Sequence, residues 1–249
     1  FAAGLAAGVY HPVVAVYSTF LQLAYDQILH DVCLNRFPVT FAVDRAGIVG
    51  SDGETHQGIF DLSYLSAIPG LTVMAPKNGR ELQQMLELAV TLPRPTAIRY
   101  PRGIVSHALD EFDAPVVCGE CEWLSRQGRV ALLAAGSMVE TAWRAAGLLA
   151  EQGIEAAVAN VRFLSPEDEE MLKYASGFEL VVTLEENVAR GGFGERAAGW
   201  LLTHGFGGRF FNVSLPDKFI EHGTQEELKR AYGLDAETIA ERVRESLKD

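Results

Sequence analysis

Short β-branched runs alternate with helix-patterned segments along this chain, and that alternation is its strongest constraint on fold. Val13-Val14-Ala15-Val16-Tyr17 reads as a buried strand. Ser18 or Thr19 then caps a helix running towards Asn35, with Leu21, Ala24, Ile28 and Val32 at helical spacing. Val39 to Val43 is the next strand, followed by a helix from Asp61, a strand at Leu71 to Met74, a helix from Asn78 to Thr91 and a strand at Thr96 to Tyr100. Strand–helix alternation of this kind builds parallel βαβ units.

Residues 104 to 128 break the pattern with Pro115, Gly119, Gly128 and scattered charges, and read as a crossing segment. A second α/β unit follows. It has strands at Val130 to Ala135, Ile154 to Val161 and Leu180 to Leu184, and an extended run at Phe210 to Leu215. Helices are expected at Val139 to Gln152, Gly194 to His204 and from Thr224. Another should open at Ser165-Pro166-Glu167 with a cap, a first-turn proline and acidic residues at its positive end. The expected fold class is therefore α/β, with two domains of mostly parallel sheet flanked by helices. The expected boundaries are 1–105, a linker over 106–128, and 129–249.

The chain has 249 residues and a net charge of -12, which argues against a nucleic-acid backbone as partner. No run approaches the roughly 18 apolar residues of a membrane span. Cys33, Cys118 and Cys121 give no disulfide framework and suit a reducing compartment. Phe1 to Leu5 is apolar without a starting Met or a basic flank, and reads as the interior of a larger protein.

Chemistry concentrates on the loop after the second strand. Asp44, Arg45, Asp52, Glu54 and His56 lie among Gly47, Gly50, Gly53 and Gly58. In open α/β sheets, ligands bind beyond the carboxyl ends of strands. Arg45 and Arg102 each follow a strand and would sit near one sheet edge. There a guanidinium fork suits phosphate or carboxylate, unless Arg45 simply pairs with Asp44 or Asp52 and Arg102 faces solvent. His56 is either a proton-handling group four residues from Asp52 or a loop histidine bonded to a carbonyl. Tyr17 and Phe20 read on their own as core aromatics. His30, at the end of its helix, reads as a dipole-favoured residue. The Cys118-Gly-Glu-Cys121 pair lacks the two further ligands a zinc site needs, and no metal site is expected in the chain. Gly192-Phe193-Gly194-Glu195-Arg196-Ala197 imitates a dinucleotide fingerprint, but Glu185 and Glu186 nearby would repel a pyrophosphate.

Several of these segments are distinctive together: YSTFLQ at Tyr17 to Gln22, YDQILHD at Tyr25 to Asp31, DRAGIVGSDGETHQG at Asp44 to Gly58, and RYPRG at Arg99 to Gly103. EEN at Glu185 to Asn187, GGFG at Gly191 to Gly194 and LPDKFIEHGTQEEL at Leu215 to Leu228 continue the series. The chain so resembles the 1-deoxy-D-xylulose-5-phosphate synthase family of the transketolase superfamily. The resemblance implies a pyrimidine-binding domain followed by a transketolase C-terminal domain. It implies a transferase that uses thiamine diphosphate and Mg²⁺ to join pyruvate to glyceraldehyde 3-phosphate with loss of carbon dioxide, feeding isoprenoid and thiamine synthesis.

By the same resemblance, Arg45 and Arg102 bind the aldehyde's phosphate, and Asp52 and His56 face the substrate with Tyr17 close by. Phe20 stacks on the cofactor's aminopyrimidine ring. Leu23 stands where the family often has a basic residue. The family's activating glutamate, in an AEQHAVTFAAG-like stretch, and its diphosphate and Mg²⁺ ligands lie outside the chain. The chain alone would then be inactive, with a missing N-terminal domain and a second copy as partners, in the cytoplasm or a plastid stroma. The alternatives are another superfamily member, such as a transketolase or a 2-oxo acid dehydrogenase β subunit, or a non-catalytic dimerisation fragment.

Overall fold

The computed structural model describes residues 1–248. Its strands are β1 (Val13–Tyr17), β2 (Thr40–Asp44), β3 (Thr72–Met74), β4 (Thr96–Arg99), β5 (Glu122–Ser125), β6 (Val130–Ala134), β7 (Ala156–Asn160), β8 (Phe163–Ser165), β9 (Leu180–Val188) and β10 (Arg209–Leu215). They form two five-stranded sheets, in the orders β1-β2-β4-β3-β8 and β10-β9-β6-β7-β5. All pairings are parallel except the edge pairs β3–β8 and β5–β7. The central strands β4, β6 and β9 are buried throughout, and β2 up to Asp44, because helices cover both faces.

The helices are α1 (Ala2–Ala7), α2 (Ser18–Leu21), α3 (Tyr25–Gln27), α4 (Asp61–Ser66), α5 (Gly79–Ala89), α6 (Met138–Ala150), α7 (Glu169–Ala175), α8 (Phe193–Thr203), α9 (Gln225–Ala231) and α10 (Ala236–Ser246). Asn78 caps α5 through the amide of Glu81, and a reciprocal capping box of Thr224 and Glu227 opens α9.

Four expectations need correction. Val13 to Tyr17 is a strand, but at the sheet edge, where only one neighbour covers it, so none of its residues is buried. The helix from Ser18 towards Asn35 keeps its direction but not its geometry. A 3₁₀ turn at Gln22–Ala24 follows α2, and a π-helical stretch at Ile28–Cys33 follows α3. Mid-helix 3₁₀ and π turns of this kind often mark strain or a neighbouring functional site. No helix opens at Ser165. Residues 163–165 are instead an edge strand of the first sheet, and α7 begins at Glu169, capped by Asp168 through the amide of Met171. An acidic residue three positions on is the better cap because its carboxylate reaches the free amide. Finally, β9 runs on past Leu184 to Val188, taking Glu185, Glu186 and Asn187 into the interior.

The two sheets share one core. Ile28, Leu62, Leu65 and Val73 pack in the same buried cluster as Leu133, Val161, Leu164 and Phe193. A charged network is sealed at this junction. Lys77 Nζ lies 3.1 Å from Glu81 and 2.7 Å from Glu122. Arg162 lies 2.6 Å from Glu81 and 3.1 Å from Glu122. Asn160 donates to both carboxylates. Two acids and two bases balance, so the desolvation cost of each charge is offset by its partners.

Candidate active site

β2 and β4 are neighbours in register, so the residues just beyond their carboxyl ends fall side by side. Arg45 follows β2 and Arg102 follows β4 by three residues. Arg45 holds a left-handed backbone, φ 60°. Its neighbour Asp44 accepts the Arg45 amide at 2.7 Å and its Nη1 at 2.8 Å, which fixes this uncommon conformation. The Arg45 guanidinium carbon lies 3.9 Å from the centre of the Tyr17 ring at the end of β1, a cation–π contact.

Tyr17 in turn stacks on Phe20, with ring centres 5.6 Å apart. Phe20 meets the edge of His56 at 5.5 Å. One face of this aromatic group remains open, since Phe20, in the first turn after the edge strand β1, is 46% exposed. His56 Nδ1 lies 2.9 Å from the hydroxyl of Thr55. Asp52 links the polar side of the site: its carboxylate is 2.9 Å from Arg102 Nη1 and 3.7 Å from Arg45 Nε. All six residues singled out in the sequence thus form one chain of contacts, in the order His56, Phe20, Tyr17, Arg45, Asp52, Arg102. A cleft of about 420 Å³ opens beside the arginines, bounded by Asp44, Arg45, Leu82, Arg102 and Val105.

The pairing of Arg45 with Asp44 and Asp52, one of the two readings open from sequence, is present. Arg102 pairs with Asp52 while its side chain stays 39% exposed. Arg99, the first arginine of RYPRG, is different: it is buried against Asp61 in a two-pronged ion pair of 2.7 and 3.1 Å and donates to the Glu186 carbonyl. Burial opposes its charge, but Asp61 outweighs that and holds the guanidinium protonated.

Sequence reasoning missed the groups that hold the site loops from the second domain. Glu186 accepts the amide of Ile48 at 3.0 Å and the Ser137 hydroxyl at 2.8 Å, and pairs with Lys229. Gly47 is required beside it: a Cβ there would lie 2.4 Å from the Glu186 carboxylate, and φ is 84°. Gln225 donates to the Ile48 carbonyl at 2.7 Å and to the Arg102 carbonyl at 3.2 Å, joining both arginine-bearing loops. Gln57 receives the amide of Val49 and donates to the Glu221 carbonyl. The available signal for Gln225 was the segment from Leu215 to Leu228, which is dense in charged and polar side chains.

His30 makes an exposed pair with Asp26. Cys118 accepts from Arg94, and burial together with Asp168 pushes the Cys121 thiol up to about 12. Among the described residues no group of three or more His, Cys, Asp or Glu is placed to hold a metal ion. The fingerprint-like turn before α8 is not open to an anion, because Glu185 already accepts the amides of Phe193 and Gly194 at 2.8 and 2.9 Å.

The sequence matches the transketolase pyrimidine-binding domain over residues 1–107 and the transketolase C-terminal domain over residues 119–239. It is 53% identical over 245 residues to the 1-deoxy-D-xylulose-5-phosphate synthase of Lachnoclostridium phytofermentans, covering 98% of this chain and 39% of that protein. It is 51% identical to 1-deoxy-D-xylulose-5-phosphate synthase 2 of Geobacter sulfurreducens, covering 98% of this chain and 40% of that protein. The chain therefore spans about 40% of the length of the curated relatives it matches.

Among solved structures, a split-gene transketolase described as an inactive β4 tetramer superposes with a TM-score of 0.88 at 27% identity, covering 99% of this chain and 80% of that one. A mutant transketolase from Pichia stipitis, at 21% identity and a TM-score of 0.72, covers 95% of this chain and 34% of that one and shares the fold. The chain belongs to the transketolase superfamily, within the 1-deoxy-D-xylulose-5-phosphate synthase family, over its pyrimidine-binding and C-terminal domains.

Proposed function

We propose that this chain supplies the acceptor-substrate half of a thiamine-diphosphate site that condenses pyruvate with glyceraldehyde 3-phosphate to 1-deoxy-D-xylulose 5-phosphate and carbon dioxide. The observation that carries this reading is the unbroken contact chain from an open aromatic face at Phe20 to two arginines at the adjacent strand ends. The relatives' names support the choice of substrates.

The cofactor fits on one side only. The exposed Phe20 ring, backed by Tyr17, is a stacking surface for an aminopyrimidine. The glycine-rich turn before α8 is closed by Glu185, and the diphosphate and Mg²⁺ are assigned to residues outside this chain. When bound, the cofactor supplies the carbanion stabilisation. The chain's own residues do the rest. Arg45 and Arg102 hold the phosphate with charge-assisted bonds. The Tyr17 ring orients the Arg45 guanidinium. Thr55 engages one nitrogen of His56, leaving Nε2 for a proton on the substrate oxygens.

In this reading the isolated chain is inactive and works with an N-terminal domain and a second copy. The exposed side chains of Val9 and Tyr10 before β1, Val13 on it, and Leu23 and Leu34 in the helical run after it support a covered surface there. The inactive β4 assembly of the split-gene neighbour supports the same view. The three free thiols suit the cytoplasm or a plastid stroma, and isoprenoid and thiamine synthesis are the pathways such a product feeds. The reading is tested by calorimetric titration of thiamine diphosphate with Mg²⁺ into this chain and into the full-length protein. Tight binding is expected for the full-length protein alone, and micromolar binding by the isolated chain contradicts the half-site reading.

A further inference from the structure

The two arginines are not vacant. Arg45 Nη1 is held by Asp44, Arg102 Nη1 by Asp52, and Arg45 Nε faces the same Asp52 carboxylate at 3.7 Å. With two aspartates against two arginines the group is formally neutral, so it attracts an anion only when one carboxylate leaves. The two aspartates are not equally free to leave. Asp44 ends β2 and accepts the backbone amide of Arg45, so its position is tied to the sheet. Asp52 lies between Gly50 and Gly53, both at positive φ (81° and 80°), and its carboxylate is bonded to the Arg102 side chain. Arg45 Nε is buried without a hydrogen-bond acceptor among the described residues, a donor that a closer anion would satisfy.

We propose that Asp52 occupies the arginine pair as an internal anion, and that the substrate phosphate enters by replacing it. A phosphate presents three acceptor oxygens and more charge than a carboxylate, so it satisfies both forks at once and outcompetes Asp52. A neutral acceptor offers nothing in exchange for the carboxylate, which adds to selectivity for the phosphorylated substrate. The displaced residue belongs to the segment that carries His56. Gly53 donates to the Gly50 carbonyl and His56 donates to the Gly53 carbonyl, each at 3.0 Å, so the exchange of anions also repositions His56. Asp52 is thereby a positioning residue whose departure reports that the phosphate has arrived. This inference rests on the phosphate reading of Arg45 and Arg102.

The test is calorimetric binding of inorganic phosphate to the full-length protein at fixed ionic strength, for the wild type, Asp52→Asn and Arg102→Ala. Relief from the internal competitor should tighten phosphate binding to Asp52→Asn by about tenfold, while Arg102→Ala should lose it. Asp52→Ser gives a second measurement, removing the charge while keeping a short polar side chain. In the wild type, saturating phosphate should speed amide hydrogen exchange across residues 51–56 severalfold. Unchanged or weaker phosphate binding in both Asp52 variants, with binding still lost in Arg102→Ala, overturns the inference and leaves the phosphate site standing. Unchanged exchange over 51–56 overturns the coupling to His56. Phosphate binding that survives Arg102→Ala, or is absent from all the proteins, removes the phosphate site and this inference with it.

Discussion

The Glu186 carboxylate, buried on β9 of the second sheet, accepts the backbone amide of Ile48 at 3.0 Å on the loop that carries the first sheet's arginine. One side chain thus fixes the position of a loop in the other domain. Lys229 and the Ser137 hydroxyl complete its shell.

This contact predicts a pH-dependent stability. Burial alone would raise the Glu186 carboxyl, but Lys229 and the hydrogen bonds from Ile48 and Ser137 hold it below its ordinary value of 4.5. A depressed carboxyl contributes stability above its unfolded value and loses it as pH falls through the folded one. Glu186→Gln should cost about 1–3 kcal/mol at neutral pH. The gap between wild type and variant in urea denaturation should close as pH falls below 4.5. The adjacent Glu185 behaves in the opposite sense: burial holds its carboxyl above the ordinary value, and the amides of Gly194 and Phe193 only partly offset it. Its contribution is present at low pH and fades as pH rises, so Glu185→Gln should not reproduce the Glu186 profile.

The sealed network around Glu81 should be intolerant of losing one member. Arg162→Met leaves Glu81 and Glu122 with Lys77 as their remaining cation and should destabilise the chain by about 3–5 kcal/mol. Removing Glu81 as well, as Glu81→Gln with Arg162→Met, should recover part of the loss. Additive losses in a double-mutant cycle would show that the two do not act as a pair.

At Phe20, truncation to alanine in the full-length enzyme should weaken thiamine diphosphate affinity by about 1–3 kcal/mol through lost burial and stacking. The melting temperature should change little, because the ring is half exposed and touches mainly Tyr17 and His56. A large fall in melting temperature with an unchanged cofactor constant would make Phe20 a structural aromatic.

The α/β alternation, the two sheets and the positions of Arg45 and Arg102 beyond adjacent strands were legible, because short apolar runs and their flanking turns carry that information locally. The six proposed site residues were legible as residue types, and their contact chain is a property of the fold. What was not legible depends on contacts distant in sequence. Glu185 to Asn187 read as the end of a strand because three polar residues in a row look solvent-facing. Their burial is compensated by Ile48, Phe193, Asn212, Ser63 and Lys229, which lie elsewhere in the sequence. Ser165-Pro166-Glu167 read as a helix opening because it satisfies the local rule, but Ser165 ends an edge strand instead. The free edge of β3 offers backbone partners that the rule does not see.

The central claim is that Arg45 and Arg102 grip the phosphate of the aldehyde substrate. The most direct measurement is kcat/KM of the full-length enzyme for glyceraldehyde 3-phosphate and for unphosphorylated glyceraldehyde, in the wild type, Arg102→Ala and Arg102→Lys. Each charge-assisted contact is worth roughly 1.5–3 kcal/mol, about ten- to more than a hundredfold. Arg102→Ala should lose that factor for the phosphorylated aldehyde, lose little for the unphosphorylated one and leave the pyruvate constant nearly unchanged. Lysine should restore only part, because it keeps the charge and loses the fork. Equal losses for both aldehydes would contradict the account and make the arginine pair structural.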